Sequence, residues 1–218
     1  MSEWLTWQVV DSAFPTGAFA HSWGLEAAWQ QGEIGGLAAL RAFLDASILQ
    51  AGYGSVPLVI AAYRSPERLE ALDELAEAFL LNAVANQASR VQGRTLVATA
   101  ARIWPSETLD GLLARAAGTR AHLAPLSGAV FRAIGLSLAT VQRAVLYGTA
   151  RGVISAAVRL GIAGSYEAQR MQLECATSLD LMAERCRDLT EQDLVQTEPI
   201  VDLLQSGHGR LYSRLFQS

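Results

Sequence analysis

The sequence predicts an all-α protein folded as a single compact domain. Three observations carry this. Apolar residues, mostly Ala and Leu, return at intervals of three and four; no long window alternates in the manner of a strand; and helix-start and helix-stop residues punctuate the chain. A length of 218 residues with 51% hydrophobic and 17% charged side chains suits one sizeable core and leaves little room for long disordered segments.

Taken in order, Trp4, Trp7 and Phe14 fall on one stripe and predict a first helix that Pro15 stops. Within DSAFPTGAFAHSWGLEAA, Gly17 permits an unusual turn, Phe19 packs, and Ser22 is placed to cap the next helix. Glu26 lies four residues after Ser22, one too many for a capping box, and reads as a solvated first-turn acid or a partner contact. The longest uncharged run, ASILQAGYGSVPLVIAAY, is interrupted by Gln50, Gly52, Gly54, Ser55 and Pro57. It reads as two packed segments joined by a break, not as a membrane span.

In SPERLEALDELAEAFLLNAV, Ser65 is the expected N-cap, with Pro66 in the first turn and Glu67 near the positive helix end. The acids Glu70, Asp73, Glu74 and Glu77 make one helix face, most simply a solvated one. PSETLDGLLARAAG repeats the device with Ser106 as cap and Gly118 as stop. In the apolar region VFRAIGLSLATVQRAVLYGTARGVISAAVRLGI, Arg143, Arg151 and Arg159 oppose a membrane reading, and Gly148 and Gly152 suggest close helix contact. YEAQRMQLECATSLDLMAERCRDL predicts one final long helix. Its Cys175 and Cys186 stand roughly 16 Å apart along the axis, too far for a mutual disulfide or a shared metal ion, and read as core residues. The total is about ten helices without a linker long enough to divide domains.

The end of the chain differs in character. Residues 1–206 form the expected helical domain, and 207–218 a flexible tail entered through Gly207 and Gly209. In the tail His208, Arg210 and Arg214 are interleaved with Leu211, Tyr212, Leu215 and Phe216, and no acid is present. Four large apolar groups at a chain end call for a cover, either the protein's own core or a partner.

Composition excludes several chemistries. All 17 basic residues are arginine, so a P-loop lysine and a Schiff-base lysine are impossible. The net charge of −4 offers nucleic acid no attraction. Asp11, Ser12, His21 and Ser22 contain the residue types of a serine hydrolase, but no GxSxG elbow accompanies them, and a triad is defined by geometry. His21, His122 and His208 have no ligand-motif spacing, and each reads first as a structural histidine. MSEWLTWQVVD, with Glu3 and no basic region, does not read as a secretory signal, and a soluble cytoplasmic protein is expected.

The motif FPTGAFAHSWGLE resembles the signature of the UreF family of urease accessory proteins. ASRVQGRTL, SAAVRL and the terminal GRLYSRLFQS resemble further UreF segments in the expected order, from residue 11 to residue 218. RLGIAGSYEAQR, residues 159–170, departs from the proline and glycine-glutamine pattern of many members. The resemblance implies a UreF-like helical bundle, commonly dimeric and without enzymatic activity. Such a protein binds UreD (also called UreH) and the GTPase UreG, and takes part in nickel insertion into apo-urease as a scaffold and checkpoint. Nickel is then handled by the partner complex, with no cofactor held by this chain. An alternative is that an arginine of this chain activates the GTPase directly.

Matched motif by motif, Phe14, Pro15, Gly17, Phe19, Ser22, Gly24 and Leu25 become shape-determining residues. His21, Glu26, His208, Arg210, Leu211, Tyr212, Ser213, Arg214, Leu215 and Phe216 become candidate partner-binding residues.

Overall fold

The computed structural model describes residues 3–217, and among these every regular element is helical. The α-helices are α1 (Glu3–Val10), α2 (Leu25–Gln30), α3 (Leu37–Gly54), α4 (Val56–Arg64), α5 (Leu69–Phe79) and α6 (Ala83–Ile103). After them come α7 (Glu107–Ala117), α8 (Leu123–Ala133), α9 (Leu138–Arg159), α10 (Ser165–Glu174), α11 (Ala176–Arg185) and α12 (Pro199–Ser206). Two pairs, α3–α4 and α10–α11, are separated only by the single residues Ser55 and Cys175.

The centre of the molecule is α4, in which the seven residues from Val56 to Ala62 are all buried. A helix apolar on every side must be covered on every side. Val56 and Ile60 face one cluster, built with Leu40, Leu44 and Ile48 of α3, Val153 and Ala157 of α9, and Met171 and Met182. Val59 faces the other, with Leu96 of α6, Leu109 of α7, Leu126 and Val130 of α8, and Val141 at the start of α9. The run 37–64 is the one stretch among the described residues long and apolar enough to cross a membrane, and its apolar window is two-thirds buried in this fold.

Several local expectations change. The first helix ends at Val10, four residues before Phe14, because the Asp11 carboxylate accepts the Ala13 N–H at 2.6 Å and turns the chain before Pro15 is reached. Trp4 and Trp7 are consequently exposed, whereas Phe14 is buried and stacked on Trp104 at 5.7 Å. Ser65 makes no side-chain cap, and a 3-10 turn at Pro66–Arg68 precedes α5. Ser106 does cap α7 through Leu109 N, and Gly118 ends it.

The long apolar region divides at Gly135, whose φ is 88°, and α9 restarts under a Ser137 cap. The final long helix breaks at Cys175. Of the two glycines in α9, only Gly152 is needed for close approach: a Cβ there would meet the Trp23 indole nitrogen at 2.3 Å, while one on Gly148 would meet nothing.

The acidic face of α5 is not uniformly solvated. Asp73 is buried and accepts the backbone N–H groups of Arg120 and His122, both at 2.7 Å, and Glu77 accepts His122 Nε2 at 2.8 Å. The loop between α7 and α8 presents these donors because Ala121 adopts a positive φ of 65°, and buried donors require acceptors. Glu70 meets Arg115 through two hydrogen bonds of 2.6 Å, which hold its carboxyl down at about 2.

Both cysteines are free and buried. Cys186 Sγ donates to the Gly52 carbonyl at 3.2 Å, and burial pushes its thiol up to about 11. At pH 8 its thiolate fraction is about one in a thousand, so iodoacetamide should leave Cys186 unlabelled in the native protein and label it promptly in guanidinium. Labelling as fast as a model thiol without denaturant would contradict this packing.

Candidate functional site

The opening loop and the end of the chain, nearly 200 residues apart in sequence, meet in one site. Gly17 (φ 77°) and Gly24 (φ 85°) bracket the loop, and both occupy the left-handed region that glycine enters without strain. Ser22 does not cap α2 with its side chain. Its carbonyl accepts Leu25 N at 3.1 Å, and Gly24 is the N-terminal boundary residue. Gly24 also admits α12, since a Cβ there would stand 3.0 Å from Gln205 Cβ. Asn82 also holds α12, donating to the Asp202 carbonyl at 2.8 Å.

Glu26 is the hub. It is 1% exposed, not solvated, and its carboxylate accepts three hydrogen bonds: Leu215 N at 2.6 Å, Phe216 N at 3.1 Å and His208 Nε2 at 3.0 Å. The chain end is thus fastened by its backbone to an acid of α2. Gln217 N adds a bond to the Ala20 carbonyl at 2.8 Å, and Gln30 Nε2 reaches the Ser213 carbonyl at 3.0 Å. Residues 207–217 form a strap docked along the body, with Phe216 buried in the core it shares with α3 and α9.

Arg159, at the end of α9, completes the fastening. Its guanidinium stands 3.9 Å from the ring centroid of Phe19 and 4.0 Å from that of Phe216, and it donates to the Phe19 carbonyl. The cation therefore bridges opening loop and strap through two aromatic faces. His21 is buried as well. Burial, followed by the nearby charge of His208, pushes its imidazole below the ordinary value, so it is neutral at physiological pH.

The candidate residues thus divide in two. Glu26, His21, His208 and Phe216 are buried and face inward. Arg210, Tyr212, Ser213, Arg214 and Leu215 are exposed, and Leu211 is half-buried. Ile200 and Leu203 of α12 add exposed apolar area beside the strap. Sequence reasoning missed both, although PIVDLLQS carries the amphipathic signal. It also gave Arg159 no role at this site. Of the hydrolase-type residues, Asp11 and Ser12 are exposed while His21 and Ser22 are buried. His122 lies apart from this site, bound to Ser89 and Glu77. Among the described residues no group of three or more His, Cys, Asp or Glu is disposed to hold a metal ion.

A family model described as UreF matches residues 34–176. The chain belongs to the UreF family. Relatives align over nearly its whole length. Urease accessory protein F of Oryza sativa subsp. indica is 37% identical over 221 residues, covering 99% of this chain and 85% of the relative. The protein of the same name from Arabidopsis thaliana is 36% identical, covering 99% and 92%. Urease accessory protein UreF of Rhodopseudomonas palustris is 32% identical, covering 98% and 90%. The family match begins after the opening loop and ends before the strap, whereas the alignments to these relatives extend across nearly all of the chain.

Proposed function

We propose that this protein is a non-catalytic scaffold of urease maturation that binds UreD/UreH and recruits or regulates the GTPase UreG during nickel insertion into apo-urease. It acts as a homodimer, in the cytoplasm, with nickel as cargo of the assembly. Kinship to urease accessory proteins along nearly the whole chain supports the setting. The observation that carries the role of the strap is its mode of docking. Glu26 holds the strap by backbone N–H groups, which leaves the side chains of Tyr212 and Leu215 pointing away from their own fold. An ordered segment with an exposed tyrosine, two arginines and neighbouring leucines is a preorganised contact surface, because its ordering entropy is spent before the partner arrives.

The test is light-scattering size chromatography of the full chain with cognate UreD, comparing the parent with Tyr212→Ala/Leu215→Ala. Both side chains are exposed, so the variant keeps its fold. The complex should weaken by about tenfold or more if these residues are anchors. Equal complex formation by parent and variant would place recruitment elsewhere on the helical body.

A further inference from the structure

A second surface lies where α5 gives way to α6. An open groove of about 670 Å³ is walled by Leu80, Leu81, Asn86, Arg90, Val91 and Arg94. Arg90 and Arg94 are one helical turn apart and share a face, an arrangement of like charges that repel. Neither forms an ion pair among the described residues, and Arg90 Nε is buried without a hydrogen-bond partner. Glu77 stands on the same wall, but Asn86 Nδ2 and His122 Nε2 both donate to its carboxylate. The groove therefore carries two guanidiniums without ion pairs against one carboxylate whose lone pairs are engaged by two donors, which leaves it net positive. Beside the guanidiniums is apolar surface: Leu81 is 89% exposed and Val91 41%.

We propose that this groove is a docking site for an acidic peptide segment of a protein partner, one that sets a carboxylate on Arg90 and Arg94 and an adjacent apolar side chain against Leu81 and Val91. A guanidinium fork matches a carboxylate in shape as well as charge. A free inorganic anion would use the arginines and leave the leucine wall bare. Nucleic acid is disfavoured by the net charge of −4. The inference is independent of the role proposed for the strap.

The test is titration of the full-length protein with two acetylated five-residue peptides, one alternating Leu and Glu and the other alternating Leu and Gln, followed by calorimetry. The acidic peptide should bind about tenfold more tightly than its glutamine counterpart, and its affinity should fall as salt is raised. Arg90→Glu/Arg94→Glu should abolish binding. Arg94→Gln alone, at an exposed position, should weaken it several-fold with an unchanged melting temperature, and it serves if the double variant misfolds.

Equal binding of the two peptides, no effect of either variant, or no binding at millimolar peptide would each overturn the proposal. So would inorganic phosphate displacing the peptide at matching concentration, since the groove would then be a simple anion site.

Discussion

Glu26→Ala should release the strap without unfolding the body. The substitution leaves three donors, Leu215 N, Phe216 N and the His208 ring, without their acceptor in a buried site. Leaving a buried donor unpaired costs about 1–3 kcal/mol each, and three are left at once, which acts against continued docking of the strap. Its cheapest response is to lift off and rehydrate, which also removes Phe216 from the core, a burial contributing about 1.5–3 kcal/mol. The expected stability loss is thus about 2–4 kcal/mol, capped by the docking energy itself. Limited proteolysis separates local release from global damage. Trypsin should cleave after Arg210 and Arg214 much faster than in the parent, while the helical circular dichroism is almost unchanged. Glu26→Gln keeps one acceptor oxygen and should fall between the two. Unaltered cleavage and melting in Glu26→Ala would show that the carboxylate is not what holds the strap.

Gly93→Ala should be among the most damaging single-methyl additions in the chain. The glycine sits in the middle of α6, and a Cβ there would stand 2.0 Å from the Ala121 carbonyl oxygen and 2.9 Å from the backbone of His122 and Leu123. Backbone cannot rotate aside as a flexible side chain can, so the cost lies at or above the upper end of the usual overpacking range, about 3 kcal/mol. For a chain of this size that lowers the melting temperature by about 6–12 °C. The displaced segment also carries the positive φ of Ala121 and the hydrogen bonds of His122 to Glu77 and Ser89, so the α5–α8 junction should loosen with it. Gly148→Ala is the control of opposite sign. A Cβ meets nothing there, and alanine in a helix interior gains about 0.5–1 kcal/mol over glycine. Equal melting temperatures for the two variants would refute this account of α6 packing.

How much was legible in the sequence depended on the range of the interaction. The all-α class, the break inside ASILQAGYGSVPLVIAAY, the Ser106 cap and the Gly118 stop are local properties of backbone and periodicity, and they stand in the structure. The opening and closing motifs were visible as strings of residue types, and kinship to the UreF family with them. The end of α1 was misplaced because an Asp11 turn acts before a proline that looked decisive.

The acids of α5 were misplaced for a longer-range reason. Periodicity puts Asp73 and Glu77 on a polar face, but nothing in it says that the backbone donors of Arg120 and His122, with the His122 ring, will be brought against that face. Glu26 is the same case at greater separation.

By itself the sequence determined that this chain is helical, where several of its helices start and stop, and which family it belongs to, because propensity, capping and motif are written within a few residues. Only the tertiary structure decided that Glu26 is buried, that Arg159 lies between Phe19 and Phe216, and that the chain end is a docked strap. These depend on groups far apart in the chain, 189 and 190 residues for the Glu26 contacts and 140 for Arg159 with Phe19, and a buried carboxylate is tolerated only where the completed fold delivers its partners.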